Sequence, residues 1–434
     1  MNQNIQLKKE RISPKYHLTI LSFILYSLIG LSGLTSDFYL YLMMACFIFW
    51  VLSAIITSKR GVSSLIFQKE IIVLFAFLMF LFTFALPTAG VVFTLKIVGN
   101  FILQFSPIIM FLFYFKMHSL SLMKTLLWVS YALWFFFVII SINFYISNPG
   151  AARLLASHQG DSFGLIAIGG GYKLAIGSSI LASFLFDFSI NSCSSKKYKL
   201  WILFAVSILT IVVILTWSAI TLLGLVVGIL FALVIKQMKN KNGKIVLGIR
   251  SIAIFLLYFV SIFVLINFID DIGHFIMNMT SSKENILMAR LYDVGLELSS
   301  VGNRDSSGSE YISSRVSRLF WSYDIFLESP LIGNGYKYGY DFSAGKSYGI
   351  GNHSEWFDLF AVYGLLGGGL IILVYFNFLK KISKFHIKTS RLSYISVLIF
   401  LGLFNPFRSF SAHFVLFFIV PATLLLYEND RKSI

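Results

Sequence analysis

The stretch of sequence at residues 200–235, LWILFAVSILTIVVILTWSAITLLGLVVGILFALVI, decides the fold of this chain. It contains no charged residue and lies between Lys199 and Lys236. A membrane-spanning helix needs roughly 20 mostly apolar residues, so this run is too long for one span and suits two. Lysines at both ends favour a hairpin whose ends lie on the same side of a membrane. The sequence therefore predicts two helices that turn near Trp217 and Ser218.

Apolar runs of this kind recur along the whole chain. Hydrophobic residues make up 57% of its 434 residues and charged residues only 12%, a composition that excludes an ordinary water-soluble domain. The pattern predicts an all-α polytopic membrane protein of about 12 transmembrane helices. The predicted spans are 17–34, 38–57, 71–86, 92–115, 122–146, 164–186, 200–216, 218–235, 245–269, 356–379, 392–407 and 412–427.

Lysine and arginine collect in alternate loops of this arrangement. With the N-terminus inside, 24 of the 35 basic residues fall in cytoplasmic segments, in agreement with the positive-inside rule. The C-terminus is then cytoplasmic as well. The first apolar segment follows a basic start and leads directly into a second one, so we expect it to remain as a span.

Composition also argues against several other classes of protein. The net charge of +16 is explained by membrane topology, and no basic soluble domain is present to bind nucleic acid. Cys46 and Cys193 can form neither a disulfide framework nor a four-ligand zinc site. The predicted outer loops contain no cluster of histidines or carboxylates typical of a metal site, so we expect no metal and no cofactor.

The segment 270–355 differs from the rest because it holds 11 of the 19 acidic residues but only 7 of the 35 basic ones. We interpret it as a large extracytoplasmic loop between an N-terminal membrane domain, 1–269, with about nine spans, and a C-terminal membrane segment, 356–434, with about three. An amphipathic helix is predicted before Pro330 and could lie on the membrane surface. Its apolar positions are Ile312, Val316, Leu319, Phe320, Tyr323, Phe326 and Leu327.

Three residues of this loop are candidates for chemistry. Arg315 and Arg318 share one flank of the predicted helix, and arginine binds phosphate through two parallel hydrogen bonds. Attraction to anionic lipid headgroups explains the pair almost as well. His353 lies where the chain re-enters the membrane, and an imidazole there could take a proton from a sugar hydroxyl. Capping a helix start or binding a headgroup is the structural alternative.

Two further cations are predicted on the outer side, against the topology bias: Arg153 in the loop 147–163, and Arg408 in the turn between the last two spans. Arginines in such places usually line a cavity or pair with an anion. Lys96 and Lys173, within or near spans, are weaker members of the same set, and snorkelling of their side chains explains them almost as well.

These elements, in this order, resemble the O-antigen ligase and O-antigen polymerase superfamily, which includes WaaL-like and Wzy-like proteins. The ligases show an RxxxL element, matched by Arg315 to Leu319, and a histidine and a glycine with ten residues between them, matched by His353 and Gly364. The segments 328–335 and 353–367 are similar to the family's glycine turn and its histidine-to-helix segment. Polymerases are described with an arginine and a glycine at a fixed spacing in the third and fifth outer loops. Arg153 and Gly169 match the third, but Arg290, Arg304, Arg315 and Arg318 of the fifth have no glycine at that distance. The sequence departs from the family at 215–219, where relatives often carry Ser-Arg.

The resemblance implies a metal-independent glycosyltransferase at the outer face of the bacterial inner membrane. A Wzy-like polymerase is favoured, with oligosaccharides on undecaprenyl pyrophosphate as substrates and membrane lipids and a chain-length regulator protein as partners. It implies that Arg153, Arg315, Arg318 and Arg408 hold the pyrophosphate and that His353 is catalytic. The alternatives are a WaaL-like ligase that transfers glycan to lipid A core and, in another class, a lipid-linked oligosaccharide flippase.

Overall fold

The computed structural model shows an all-α protein built from long apolar helices. It describes residues 13–32, 37–148, 171–193, 195–216, 218–238, 275, 278–279, 321–335, 340–341, 346–347, 354–383, 392–404 and 407–432. Within these ranges, ten helices are long and apolar enough to cross a membrane, and Ser393–Leu403 is a shorter apolar helix. The predicted fold class is therefore confirmed. The predicted span 245–269 lies outside the described residues.

The helices of the N-terminal part follow the predicted spans to within a few residues, except at the span predicted as 164–186, where the helix ends five residues later, at Asn191. After a single 3-10 turn at Pro14–Tyr16, they are α1 (His17–Ser32), α2 (Asp37–Thr57), the short α3 (Lys59–Ile66), α4 (Lys69–Lys116), α5 (Leu120–Ser147), α6 (Tyr172–Asn191), α7 (Lys196–Leu215) and α8 (Ala219–Met238). The hairpin predicted within 200–235 is confirmed, because α7 ends at Leu215 and α8 begins at Ala219.

The C-terminal part contains α9 (Glu355–Ile382) and α10 (Leu392–Phe404). A final rod follows, in which α11 (Phe410–Phe414) continues through a π-helical turn (Val415–Ile419) into α12 (Val420–Lys432). Between α8 and α9, the described residues include a helical segment at 321–328 and two short antiparallel strands, β1 (Tyr340–Asp341) and β2 (Lys346–Ser347). The helix predicted before Pro330 is confirmed over 321–328, where Tyr323 and Leu327 are exposed.

Helix α4 is a folded-back pair of spans. Its 48 residues are too many for a single crossing, and Gly90 interrupts it with non-helical φ 73° and ψ 170°. The rings of Phe77 and Phe101, on opposite sides of this break, have centroids only 5.0 Å apart. In a straight helix these two residues would be about 36 Å apart at 1.5 Å per residue. The chain therefore reverses at Gly90, as the two predicted spans 71–86 and 92–115 require.

Two elements form the centre of the bundle. The most apolar windows of α6 and of the final rod are both 83% buried, whereas those of α2 and α7 are only 22% buried. Small residues of α6 allow this close packing: a Cβ added at Gly177 would lie 2.4 Å from Cη2 of Trp134 in α5. The peripheral helices expose apolar side chains, as lipid contact requires.

Polar contacts join helix ends that the predicted topology places on the same side of the membrane. At one end, Nζ of Lys381 lies 3.3 Å from Oε2 of Glu70, and Asn191 Nδ2 donates to the carbonyl oxygen of Ala232 at 3.2 Å. At the other end, the hydroxyl of Ser411 donates to the carbonyl oxygen of Lys173 at 2.9 Å. These contacts agree with the predicted alternation of the spans.

Candidate functional site

A buried ion pair lies at the end of the bundle that the topology predicts to be extracytoplasmic. Nε of Arg408, in the turn between α10 and α11, contacts Oε1 of Glu355, the first residue of α9. The main-chain N–H of Arg408 donates to Oε2 of the same carboxylate at 3.3 Å. Glu355 is 1% exposed, whereas the Arg408 side chain is 18% exposed. Because an isolated buried charge is very costly, the carboxylate needs this cation, and part of the cation still reaches the surface.

Aromatic rings of α4 and α9 form a wall beside the cation. The Arg408 guanidinium carbon lies 5.2 Å from the centroid of the Phe101 ring, a distance that permits a cation–π interaction. Phe101 packs edge-on against Phe77 and against Tyr363, with centroids 5.0 and 6.0 Å away. The hairpin of α4 thus contributes to the surroundings of Arg408.

The start of α9 is fixed by its own cap. The hydroxyl of Ser354 accepts from the N–H of Phe357 at 3.2 Å and donates to the carbonyl oxygen of Gly402 at 3.0 Å. Asp358 completes the cap, because its Oδ2 accepts from the Ser354 N–H at 2.9 Å while its Oδ1 accepts from Ser322 Oγ at 2.6 Å. Carboxylates in a first helical turn are also favoured by the helix dipole. This cap joins α9 to α10 and to the segment 321–328.

Helix α9 is broken at Gly364, which has φ 61° and ψ −168°. In a continuous helix the N–H groups of Leu365 and Leu366 would bond to the carbonyls of Ala361 and Val362. Instead they donate to the carbonyl oxygens of Pro330 and Leu331, at 2.8 and 3.0 Å, and the two vacated carbonyls accept from the N–H groups of Asn334 and Gly335, at 3.0 and 2.9 Å. The segment 330–335 therefore fills the break and forms hydrogen bonds with the four backbone groups that the break leaves without helical partners.

A second polar pair lies in the core nearby. The hydroxyl of Tyr375, in the inner part of α9, lies 2.6 Å from Nε2 of His413 in α11. The His413 ring is completely buried and stacks on Phe417, with centroids 5.1 Å apart. This pair connects α9 to the final rod, five residues after Arg408 in the chain.

Of the five residues predicted to form the site, the structure describes Arg408. Arg153, Arg315, Arg318 and His353 lie outside the described residues, as does most of the predicted loop. His353 directly precedes Ser354, whose backbone is fixed by the cap of α9. Of the weaker candidates, Lys173 is exposed and Lys96 is half-buried. In the part of the chain that the structure describes, no three histidine, cysteine or carboxylate side chains are grouped as a metal site would require.

Two features of the site were not predicted from the sequence. The first is the pairing of Glu355 with Arg408, 53 residues further along the chain. The sequence did contain a signal for this pair. A carboxylate begins one span, and an arginine precedes another span on the same side of the membrane. The second feature, the break at Gly364, falls inside the predicted span 356–379, which is interrupted rather than continuous.

The fold and this geometry define a class: polytopic helical membrane proteins with a charged site at one end of the bundle and a discontinuous helix beside it. Residues 175–372 match the family model described as O-antigen ligase, Wzy_C. This match confirms the resemblance to the O-antigen ligase and polymerase superfamily, whose members are enzymes of glycosyl transfer. The matched residues begin within α6 and include α7, α8, the segment 330–335 and the break of α9, whereas Arg408 lies outside them. No curated protein matches the chain.

Proposed function

We propose that this protein is a Wzy-like surface polysaccharide polymerase, which joins oligosaccharide repeat units carried on undecaprenyl pyrophosphate. The reaction takes place at the outer face of the bacterial inner membrane, with both termini of the chain in the cytoplasm. The observation that carries the proposal is Arg408, a partly exposed cation held at the predicted outer end of the bundle. The match of residues 175–372 to the O-antigen ligase family model supports it. Membrane lipids and a chain-length regulator protein are its further proposed partners.

In this proposal the arginines bind the pyrophosphate of the donor. Arg408 approaches it from the turn between α10 and α11, Arg153 from the third outer loop, and Arg315 and Arg318 from the loop 270–355. Arginine suits this role because its planar guanidinium stays charged and forms paired hydrogen bonds to phosphate oxygens. Preorganised cations also stabilise the negative charge that develops on a pyrophosphate leaving group.

The acceptor is a sugar hydroxyl of a second lipid-linked oligosaccharide. Its oxygen forms a bond to the anomeric carbon of the donor glycan while the bond from that carbon to the pyrophosphate oxygen breaks. Undecaprenyl pyrophosphate departs with the bonding electron pair, and His353 takes the proton of the hydroxyl. The chemistry needs no oxidant, and the residues assigned to it need no metal.

Two rival functions remain to be separated by experiment. A WaaL-like ligase uses the same donor and belongs to the same superfamily, but it transfers the glycan to lipid A core. A flippase moves the lipid-linked glycan without transferring it. Transporters commonly consist of repeated halves with discontinuous central helices and binding sites near the middle of the membrane. Helix α9 is also discontinuous, but residues 330–335 fill its break. The late loop predicted at 270–355 and the ion pair at one end of the bundle favour an enzyme over a flippase.

The decisive experiment deletes the gene and examines the surface glycan on gels. A polymerase is supported if the ladder disappears while a single repeat unit remains on core. A ligase is supported if core carries no glycan and lipid-linked polymer accumulates. A flippase is supported if single lipid-linked units accumulate on the cytoplasmic face of the membrane.

Complementation then tests the assigned residues. His353→Ala at normal expression should fail to restore the ladder, because the acceptor hydroxyl would lose its base. His17→Ala is the matched control, since His17 is an exposed histidine at the start of α1, at the predicted cytoplasmic end, and this variant should complement fully. Full complementation by His353→Ala would refute the catalytic assignment.

A further inference from the structure

The carboxylate of Glu355 holds Arg408 at two separate points. One oxygen contacts Nε of the side chain, and the other accepts from the main-chain N–H of the same residue. Glu355 itself cannot move easily, because it is 1% exposed and belongs to the first turn of α9, whose cap is bonded to α10 and to residues 321–328. The position of the Arg408 guanidinium is therefore set by the start of α9.

From this geometry we propose that Glu355 is a positioning residue for the donor site: it presets the Arg408 guanidinium for the pyrophosphate of the lipid-linked substrate. This inference rests on the proposed function, since it assumes that Arg408 binds the pyrophosphate. It adds a carboxylate to a site otherwise composed of cations and a histidine. Glu355 acts through Arg408 and does not itself touch the substrate.

Preorganisation is the physical reason for such an arrangement. A free arginine side chain loses rotamer entropy when it is fixed, and a guanidinium already held at Nε loses less of it on binding. The buried carboxylate also stabilises the guanidinium charge in an apolar wall of aromatic rings. The partly exposed side chain can meet a substrate phosphate while Glu355 remains behind it.

A competing role for Glu355 predicts the opposite result. If the carboxylate merely neutralised Arg408 and competed with phosphate for it, then removing the negative charge would strengthen binding. If instead Glu355 positions Arg408, removing the charge weakens binding because the guanidinium is no longer oriented. The sign of the change in affinity therefore separates the two roles.

The test measures the Kd for undecaprenyl pyrophosphate of the full chain in detergent micelles. Glu355→Gln is expected to raise this Kd by about tenfold, which corresponds to one charge-assisted hydrogen bond. Arg408→Gln should raise it by at least as much. An unchanged or lower Kd for Glu355→Gln overturns the proposal.

A double-mutant cycle asks whether Glu355 acts through Arg408. In the Arg408→Gln background, adding Glu355→Gln should change the Kd less than twofold, because the group that it positions is already gone. A general structural effect of Glu355 would instead weaken binding further in that background, and this result would also overturn the proposal. The double variant avoids the uncompensated buried carboxylate of the Arg408→Gln single variant and should melt at a higher temperature.

Glu70→Gln provides a matched control. Glu70 is also a buried carboxylate in an ion pair, with Lys381, but at the opposite end of the bundle. Its substitution should lower the melting temperature without changing the Kd. If Glu70→Gln raises the Kd as much as Glu355→Gln does, the effect at Glu355 is one of stability, and the positioning role is rejected.

The same measurements separate this inference from the proposed function. If the wild-type chain binds undecaprenyl pyrophosphate and Arg408→Gln weakens binding while Glu355→Gln does not, the donor site stands and only the role of Glu355 fails. If neither the wild-type chain nor any variant binds the lipid, both the donor site and the positioning role are refuted.

Discussion

Two helices of this protein are broken at a glycine of almost the same conformation, but the two breaks have different surroundings. Gly90 in α4 has φ 73° and ψ 170°, and Gly364 in α9 has φ 61° and ψ −168°. A Cβ added at Gly90 would meet no atom within 4 Å in the part of the chain that the structure describes, whereas one at Gly364 would lie 2.4 Å from the backbone nitrogen of Gly333. The first break is open and reverses the chain; the second is filled by another segment.

The difference shows that a helix break can serve two purposes. At Gly90 the break only has to redirect one chain, so the conformation of that residue is the main requirement. At Gly364 the exposed backbone groups become the attachment point for residues 330–335, which precede the predicted catalytic histidine. The break in α9 thus attaches residues 330–335, which belong to the predicted loop, to the half of α9 that begins at Glu355.

The largest expected effect comes from substituting alanine at the two glycines. This backbone region is essentially restricted to glycine, so each substitution should cost about 1–3 kcal/mol in strain. Gly364→Ala adds a clash with backbone atoms of Gly333 and Leu331, worth about another 1–3 kcal/mol. Thermal unfolding in detergent should therefore place the midpoint of Gly364→Ala clearly below that of Gly90→Ala. Equal midpoints would contradict the distinction between a filled and an open break.

Gly333→Ala is expected to lower the stability by a comparable amount, but this loss of stability should not add to that of Gly364→Ala. A Cβ at Gly333, where φ is 75°, would lie 2.3 Å from the carbonyl oxygen of Val362 and 2.5 Å from the nitrogen of Gly364. Both substitutions detach the same segment, so the double variant should be little less stable than either single variant. Gly333→Ala combined with Gly90→Ala is the control, and there the losses should add.

The two breaks also differ in how far the sequence could predict them. The break at Gly90 was predictable because α4 contains too many apolar residues for one span and includes Pro87 just before the turn. Helix α9 has 28 residues, a length that one tilted span can accommodate, so nothing in its length required an interruption. Its break depends on hydrogen bonds to residues about 30 positions earlier in the chain. No local sequence pattern indicates which distant residues form such bonds.

The site shows the same division between local and long-range information. Hydropathy predicted the spans, and the alternation of charged loops predicted the side on which Arg408 lies. Both properties can be read from short stretches of sequence. The partner of Arg408 depends on how α9 and α10 pack, and a family motif that marks His353 and Gly364 contains no information about Glu355. Gly364 was singled out only for its spacing from His353, and the structure adds its physical role in the break of α9.

An intermediate effect is expected from the side chain that supports the filled break. Nδ2 of Asn334 donates to the carbonyl oxygen of Ile325 at 2.6 Å and lies 3.3 Å from Oε2 of Glu328. Asn334→Ala removes these bonds between the docked segment and the preceding helix, at a cost of about 1–2 kcal/mol. Limited proteolysis of the purified protein should then cut near residues 330–335 faster than in the wild type. Unchanged proteolysis and an unchanged melting temperature would show that the backbone bonds alone hold the segment.

The smallest effect is expected from the side chain next to the open break. The hydroxyl of Thr94 donates to the carbonyl oxygen of Gly90 at 2.7 Å, a bond within one helical turn that attaches no other segment. Such bonds to the carbonyl four residues earlier add little to helix stability, so Thr94→Val, which keeps the shape of the side chain, should change the free energy of unfolding by less than about 0.5 kcal/mol. Proteolysis near 330–335 should stay at the wild-type rate. A loss as large as that of Asn334→Ala would mean that the break at Gly90 also depends on a side-chain anchor, and the contrast between the two breaks would then rest on the clash at Gly364 alone.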